Sequence, residues 1–194
     1  MLTKIREKFD VPLNFLAGLL CKLRATPTTV SFVGLACAAA SACFYFFSGE
    51  GEGMRMWALA FLVLSGLFDA LDGALARLCG KATRFGGIVD STFDRLGEIV
   101  IFAALTVGAV VPVYIGVLAL SSSLMVSYVR SRAEAEGISM KGRGLAERPE
   151  RLVILIGATL FNQLPAGLLL IGILASLTVM QRLAVVRTMC NREM

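Results

Sequence analysis

The sequence contains no histidine among its 194 residues. This absence excludes histidine-based acid–base catalysis, Ser-His-Asp triads and histidine-ligated metals, so carboxylates remain as the side chains able to act as a base near neutral pH. The five cysteines form no Cys-x-x-Cys pair, and we interpret them as reduced packing residues. Any chemistry in this chain is therefore expected to use carboxylates together with a metal ion.

Charge is also scarce. Charged residues make up 17% of the chain and hydrophobic residues 57%, with a mean hydropathy of +0.77. This composition excludes an ordinary soluble domain and predicts a single polytopic membrane domain. Six spans of about 20 residues would use about 120 residues and leave little for a separate soluble domain. The net charge of +5 does not indicate nucleic-acid binding, because the basic residues lie at the ends of apolar runs.

We predict an all-α integral membrane protein with six transmembrane helices and an N-terminal amphipathic interfacial helix. The interfacial segment is residues 1–24, whose apolar part of about ten residues is too short to span a bilayer. A signal peptide is the alternative, but Lys22 and Arg24 stand where its cleavage site would be needed. A six-helix domain over 25–186 and a tail over 187–194 follow, with spans near 29–48, 56–79, 87–108, 112–130, 151–163 and 166–185.

The basic residues predict the orientation of these spans. Every lysine and arginine except Arg55 falls at the same side of the membrane in this layout. Because cytoplasmic loops carry an excess of lysine and arginine, both termini and the turn at residues 78–85 are expected in the cytoplasm. We therefore expect a multi-pass protein of the cell membrane whose functional site faces the cytoplasm.

Four aspartates interrupt the apolar sequence in the stretch DALDGALARLCGKATRFGGIVDSTFD, residues 69–94. Asp69 and Asp72 share one face of a predicted helix, and Asp90 and Asp94 lie one turn apart on the next. Each charge inside a spanning helix costs about 2.5–3.5 kcal/mol on insertion scales, so four carboxylates require a compensating partner. Hard oxygen ligands favour Mg²⁺, Mn²⁺ or Ca²⁺, and the stretch predicts a divalent cation site.

The spacing Asp69-x2-Asp72-Gly73-x2-Ala76-Arg77-x8-Gly86-x3-Asp90-x3-Asp94 resembles the signature of the CDP-alcohol phosphotransferase family at every fixed position. The resemblance implies an enzyme with one or two Mg²⁺ or Mn²⁺ ions that transfers a phosphatidyl or archaetidyl group from CDP-diacylglycerol or CDP-archaeol to an alcohol and releases CMP. It implies metal binding by Asp69, Asp72, Asp90 and Asp94, with Asp94 as the general base. The implied CDP-lipid contacts are Asp69, Gly73, Ala76, Arg77, Thr83 and Gly86.

Gly73 has two alternative explanations. At Gly73 the missing side chain gives a nucleotide close access to the helix backbone, or it serves tight helix packing.

Pro27 and the hydroxyl residues after it predict the start of a helix. The family often has Pro-Asn-x-x-Thr here, but Thr28 stands in place of the asparagine, so we do not expect a nucleotide contact from this turn.

The segment SYVRSRAEAEGISMKGRGLAERPER, residues 127–151, gathers basic residues after the fourth predicted span. Such a charged segment is also typical of a solvated cytoplasmic loop that has no further function. Within the family the segment most resembles phosphatidylinositol-phosphate and archaetidylinositol-phosphate synthases. That resemblance implies that inositol 1-phosphate is the acceptor and that its phosphate is bound by Ser127, Arg130, Lys141, Arg148 and Arg151.

Two alternatives to inositol 1-phosphate transfer remain open. Glycerol 3-phosphate is the alternative acceptor, since an arginine cluster can bind either phosphate. A small cation transporter, whose aspartates carry an ion without chemistry, is the more distant alternative. The expected partners are a CDP-linked lipid, the soluble acceptor, the bilayer and, by resemblance to the family, a second copy of the chain; nucleic acid is not expected.

Overall fold

The structure is a computed structural model and describes residues 13–140 and 142–190. The first 12 residues of the predicted interfacial segment, the acceptor candidate Lys141 and the last four residues of the predicted tail lie outside the described residues. The described chain is helical and contains no β-strand. Its helices are α1 (Leu13–Lys22), α2 (Pro27–Phe46), α3 (Glu52–Leu78), α4 (Arg84–Val107), α5 (Val113–Ala135), α6 (Arg148–Leu160) and α7 (Leu164–Cys190).

The all-α prediction is confirmed, and each of the six predicted spans corresponds to one helix from α2 to α7. The largest differences are at the ends of α5 and α7, which run on to Ala135 and Cys190. Four of the described helices, α2, α3, α5 and α7, are long and apolar enough to cross a membrane. α4 is rich in charged residues, and α6 has only 13 residues. Length and composition therefore support four of the six predicted spans.

The chain divides into two compact units. The first consists of the described residues up to Ser41 together with Ala60–Ile101, and so contains α1 and adjoining parts of α2, α3 and α4. The second consists of Ala42–Leu59 and the described residues from Phe102 onward, including α5, α6 and α7. The four aspartates of the motif all belong to the first unit.

In the first unit α2 approaches both α3 and α4 through small residues. A Cβ added to Gly34 would lie 3.3 Å from the Cβ of Phe68 on α3, and one added to Gly97 on α4 would lie 3.1 Å from the Cβ of Ala38. Because backbones can approach this closely only where side chains are small, the sequence holds α2 in a fixed position against both neighbours.

α1 packs on the cytoplasmic end predicted for α3. Ala17 of α1 joins Val30 of α2 and three residues of α3 in one buried apolar cluster, Leu71, Ala74 and Leu75. This packing also brings together two cysteines that are 58 positions apart, and Cys21 and Cys79 form a disulfide with a Cα–Cα distance of 6.2 Å. The interpretation of all five cysteines as reduced packing residues was therefore wrong for this pair, because sequence spacing does not show that α1 folds back onto the end of α3.

In the second unit α7 packs against α5 and α6. The packing of α5 on α7 is close at Gly172, where an added Cβ would lie 2.9 Å from Leu118. Tyr45, near the end of α2, donates a hydrogen bond of 2.6 Å to the Thr159 hydroxyl of α6, whose own proton goes to the Leu155 carbonyl. This buried pair satisfies the polar groups of both side chains where no water is available, as helices within a bilayer require.

Candidate active site

Three of the predicted metal ligands meet in the first unit. Asp69 and Asp72 lie in the last three turns of α3, and Asp90 lies in the second turn of α4. One carboxylate oxygen from each of these residues lies within 4.8 Å of the other two. Asp72 is buried, with 4% of its surface exposed, and Asp69 and Asp90 are half-buried. The i, i+3 spacing on α3 and the short turn to α4 thus bring these side chains together as the sequence predicted.

The three carboxylates fit a divalent cation. Their oxygens are close enough to share one ion, and hard oxygen donors are the ligands that Mg²⁺ and Mn²⁺ prefer. Like charges at this distance repel one another in a buried site, so a bound cation removes the main cost of the arrangement. Asp94 follows Asp90 by one turn on α4 and is half-buried, and it is not one of these three residues.

Ser31 is a contact of this site that the sequence reasoning missed. Its hydroxyl lies 2.6 Å from Oδ2 of Asp72, in a buried hydrogen bond between α2 and α3. Ser31 is 7% exposed, so water does not compete strongly for its proton. The helix start predicted at Pro27 placed Ser31 in the first turns of α2, but only the packing of α2 on α3 shows that it faces Asp72.

Gly73 and Arg77 lie together along α3, one turn apart. A Cβ on Gly73 would lie 3.3 Å from Nη1 of Arg77, and that is the single atom of the described residues that it would meet within 4 Å outside its own helix backbone. No neighbouring helix of the described chain presses on this position. Packing between helices of the described chain therefore does not account for glycine at this position.

Thr83 and Gly86 form the N-terminal turn of α4. The Thr83 hydroxyl accepts a hydrogen bond of 3.0 Å from the amide of Gly86, which is the arrangement of a helix N-cap. A Cβ on Gly86 would lie 3.0 Å from the same oxygen, so glycine suits the cap. The preceding turn is held by Lys81, whose ammonium group donates to the Ala25 carbonyl at 3.0 Å. Both Thr83 and Gly86 therefore have a structural role at the start of the helix that bears Asp90.

The acceptor candidates that the structure describes lie in the second unit. Arg130 on α5 is half-buried and donates to Glu134 one turn later, at 3.0 Å. Arg148 is half-buried at the first position of α6. Arg151 is 3% exposed and donates to the Ala146 carbonyl at 2.9 Å. Ser127 is half-buried on α5, one turn before Arg130.

Arg182 of α7 is a second residue that sequence reasoning missed. Its guanidinium is 2% exposed and donates to three oxygens, which are the Arg143 carbonyl at 2.8 Å, the Val126 carbonyl at 2.7 Å and Oε1 of Glu147 at 2.9 Å. These contacts join α7 to α5 and to the loop that precedes α6. Basic residues at the end of a span also report membrane orientation, so no sequence pattern indicates that this one is buried.

Thr178, one turn before Arg182, fixes the same loop from a neighbouring point. Its hydroxyl accepts hydrogen bonds from the amides of Leu145 and Ala146, at 3.2 and 3.0 Å. Ala146 in turn accepts the hydrogen bond from Arg151. The residues that begin α6 and carry Arg148 and Arg151 are thus held on α7 by a connected polar network.

Comparison with known proteins adds an independent line of evidence. The family model for CDP-alcohol phosphatidyltransferase matches residues 24–189 of this chain. The chain is 41% identical over 183 residues to an archaetidylinositol phosphate synthase of Pyrococcus horikoshii, covering 94% of each protein. It is 35% identical to a phosphatidylinositol phosphate synthase of Mycobacteroides abscessus, covering 94% of this chain and 87% of the relative.

Solved structures give the same answer. The chain resembles the crystal structure of Mycobacterium tuberculosis phosphatidylinositol phosphate synthase in complex with manganese and citrate, with a TM-score of 0.79, 30% identity, and coverage of 91% of this chain and 89% of the other. It also resembles that synthase with CDP-DAG bound, with a TM-score of 0.75, 31% identity, and coverage of 90% and 92%. Both similarities extend over nearly the whole chain.

Proposed function

Because this chain belongs to the CDP-alcohol phosphatidyltransferase family, we propose that it transfers the phosphatidyl or archaetidyl group of a CDP-lipid to inositol 1-phosphate and releases CMP. The observation that carries the proposal is the group formed by Asp69, Asp72 and Asp90, three carboxylates with oxygens within 4.8 Å inside the matched motif. Several relatives that match this chain over most of its length are inositol phosphate synthases, which favours inositol 1-phosphate over glycerol 3-phosphate as the acceptor.

The proposal assigns Asp69, Asp72 and Asp90 to divalent cation binding, with Asp94 as a further metal contact. When bound, a divalent cation supplies positive charge that neutralises the pyrophosphate and the leaving CMP. Two helices present the first three carboxylates, so their positions depend on how α3 packs on α4. Arg77, whose Nη1 would lie 3.3 Å from a Cβ on Gly73, contributes a permanent positive charge to the proposed CDP-lipid contact.

Asp94 acts in this proposal as the general base. It accepts the proton of the acceptor hydroxyl while that oxygen forms a bond to the phosphorus that bears the lipid. The bond between that phosphorus and the CMP oxygen breaks, and CMP leaves with the electron pair. Gly73, Ala76, Thr83 and Gly86 line the proposed CDP-lipid contact, where small side chains allow the nucleotide to approach the backbone.

The acceptor phosphate is assigned to Ser127, Arg130, Arg148 and Arg151, together with Lys141. Guanidinium groups bind phosphate through paired hydrogen bonds, so arginines at the start of α6 suit this task. Arg151 donates to the Ala146 carbonyl through Nη1, which holds its guanidinium at the start of α6. The loop held by Arg182 and Thr178 keeps these residues in place before the acceptor binds.

We also propose the membrane arrangement expected from the sequence, with six spans, a cytoplasmic site and an interfacial helix. α6 carries exposed apolar side chains such as Val153 and Leu160, which suits contact with lipid tails. α1 exposes Phe15 and Leu19 close to Lys22, as a helix lying at the membrane surface does. A homodimer in the cell membrane completes this proposal and rests on the family resemblance; chemical cross-linking in native membranes would test it.

The deciding experiment measures CMP release by the purified protein in detergent with Mg²⁺ or Mn²⁺. CDP-archaeol and CDP-diacylglycerol are each combined with inositol 1-phosphate or with glycerol 3-phosphate. We expect release with inositol 1-phosphate and little with glycerol 3-phosphate. Release with glycerol 3-phosphate alone would retain the aspartate chemistry and reject the acceptor, whereas no release with either would favour ion transport.

A further inference from the structure

The buried hydrogen bond between Ser31 and Asp72 assigns a role to a residue outside the aspartate motif. We propose that Ser31 is a positioning residue that fixes the Asp72 carboxylate for divalent cation binding. The proposal rests on the metal-binding role proposed for Asp72. It adds α2 to the elements that build the site, since the three carboxylates themselves come only from α3 and α4.

The hydrogen bond between these residues is donated by Ser31 and accepted by Asp72. The Ser31 hydroxyl has two oxygens within reach, the Pro27 carbonyl at 3.1 Å and Oδ2 of Asp72 at 2.6 Å. A serine hydroxyl has a single proton, and hydrogen bonds to ionised acceptors are shorter and stronger than those to neutral ones. With Asp72 ionised, as metal binding requires, the proton therefore goes to Asp72.

The hydrogen bond from Ser31 orients the Asp72 carboxylate. An aspartate side chain turns about two torsions, and the bond to Ser31 fixes the position of one of its two oxygens. A carboxylate has several lone-pair sites, so it can accept from serine and still offer an oxygen to an ion. Partners behind a metal ligand orient it in this way, and their loss typically costs about 10–100-fold in metal affinity.

The packing of α2 on α3 holds Ser31 in place. Ser31 cannot move far, because α2 lies close to α3 at Gly34, one turn later. A Cβ added to Gly34 would lie 3.3 Å from the Cβ of Phe68. Val30, its neighbour in sequence, is buried in a cluster with Leu71, which precedes Asp72. The helix that carries Ser31 is thus fixed against the same turn of α3 that carries Asp72, and the hydrogen bond links two rigid elements.

The test uses Mn²⁺ binding, measured by the loss of the free-ion EPR signal during titration of the purified protein without any CDP-lipid or acceptor. We expect Ser31→Ala to weaken Mn²⁺ binding by about tenfold or more, and Ser31→Thr, which keeps the hydroxyl, to bind nearly as the unaltered protein does. Ser31→Cys has a similar volume and a poorer donor, so it should also bind more weakly, and it tests the hydroxyl if the alanine variant folds poorly.

Ser122→Ala provides the matched control. Ser122 is also 7% exposed, and its hydroxyl donates to the Leu118 carbonyl of its own helix. This variant should bind Mn²⁺ normally. Unchanged affinity in Ser31→Ala, or equal weakening in Ser31→Thr or Ser122→Ala, would overturn the positioning role while CMP release continues to test the proposed function separately. An unaltered protein that binds no Mn²⁺ would overturn both the positioning role and the metal assignment.

Discussion

Arg182 and Glu147 form an ion pair of 2.9 Å in which 2% of the arginine side chain and 27% of the glutamate side chain are exposed. The same guanidinium also donates to the carbonyls of Arg143 and Val126. One side chain thus connects α7, α5 and the loop before α6, and it gives the Arg143 carbonyl of that loop a hydrogen-bond donor. Removal of this side chain is therefore expected to destabilise the fold, and any effect on substrate binding would follow from displacement of the loop.

The first prediction follows from this pair. Arg182→Gln removes the ion pair with Glu147 and the hydrogen bond to the Arg143 carbonyl, so we expect the free energy of unfolding to fall by about 3 kcal/mol. The Michaelis constant for inositol 1-phosphate should rise more than that for the CDP-lipid, since the loop carries Arg148 and Arg151. Thermal unfolding in detergent and initial rates measure these effects. Arg187→Gln, an exposed change in the last turn of α7, is the control, and equal melting temperatures for the two variants would contradict the prediction.

The sequence predicted the helices well because α2, α3, α5 and α7 are long apolar segments and polar or glycine-containing turns separate the helices. It also predicted the meeting of Asp69, Asp72 and Asp90, because helical spacing and a short turn are enough to bring them together. It missed Ser31, which depends on how α2 packs against α3. Periodicity shows which face of a helix is apolar, but it does not show which side chain of a neighbouring helix lies opposite.

Arg182 and Cys21 show the same limit. An arginine near the end of an apolar run reads as an orientation signal, and only the fold shows that its guanidinium is buried among carbonyls. Cys21 and Cys79 carry no spacing pattern, because the contact between them arises when α1 returns to the end of α3. Contacts between segments that are far apart in the sequence were therefore the part of the structure that the sequence did not predict.

The second prediction separates the general base from the metal ligands. Asp94→Asn should abolish CMP release, because the amide keeps the size of the side chain and loses its basicity. CDP-lipid binding should remain largely intact, and Mn²⁺ binding should weaken little, because Asp69, Asp72 and Asp90 still hold the ion. Asp72→Asn should instead lose Mn²⁺ binding together with turnover. Binding titrations beside single-turnover rates distinguish the two. A loss of Mn²⁺ binding in Asp94→Asn would place Asp94 among the essential metal ligands.

The third prediction contrasts two glycines. An added methyl group at Gly73 meets the movable end of Arg77, whereas one at Gly97 meets the Cβ of Ala38 at 3.1 Å on a neighbouring helix. We expect Gly73→Ala to raise the Michaelis constant for the CDP-lipid with little change in melting temperature. Gly97→Ala should lower the melting temperature, because α2 and α4 must separate by a few tenths of an ångström. A fall in stability for Gly73→Ala with unchanged kinetics would show that packing selects glycine there.

The fourth prediction tests the acceptor cluster at the start of α6. Arg148→Gln should raise the Michaelis constant for inositol 1-phosphate by about tenfold or more, since a hydrogen bond to a charged group contributes about 1.5–3 kcal/mol. The constant for the CDP-lipid and the melting temperature should change little, because Arg148 is half-buried at the helix end. Arg148→Lys should recover part of the affinity, since an ammonium group keeps the charge and loses the paired geometry.

Arg151 and Arg132 provide the comparisons for that prediction. Arg151 is 3% exposed and donates to the Ala146 carbonyl, so Arg151→Gln should lower both acceptor affinity and melting temperature. Arg132 pairs with Glu136 on the exposed surface of α5, where an ion pair contributes little, so Arg132→Gln should leave both unchanged. Initial rates over a range of inositol 1-phosphate concentrations measure all the variants. If Arg148→Gln and Arg132→Gln behave alike, the basic segment serves membrane orientation, and the acceptor phosphate binds elsewhere.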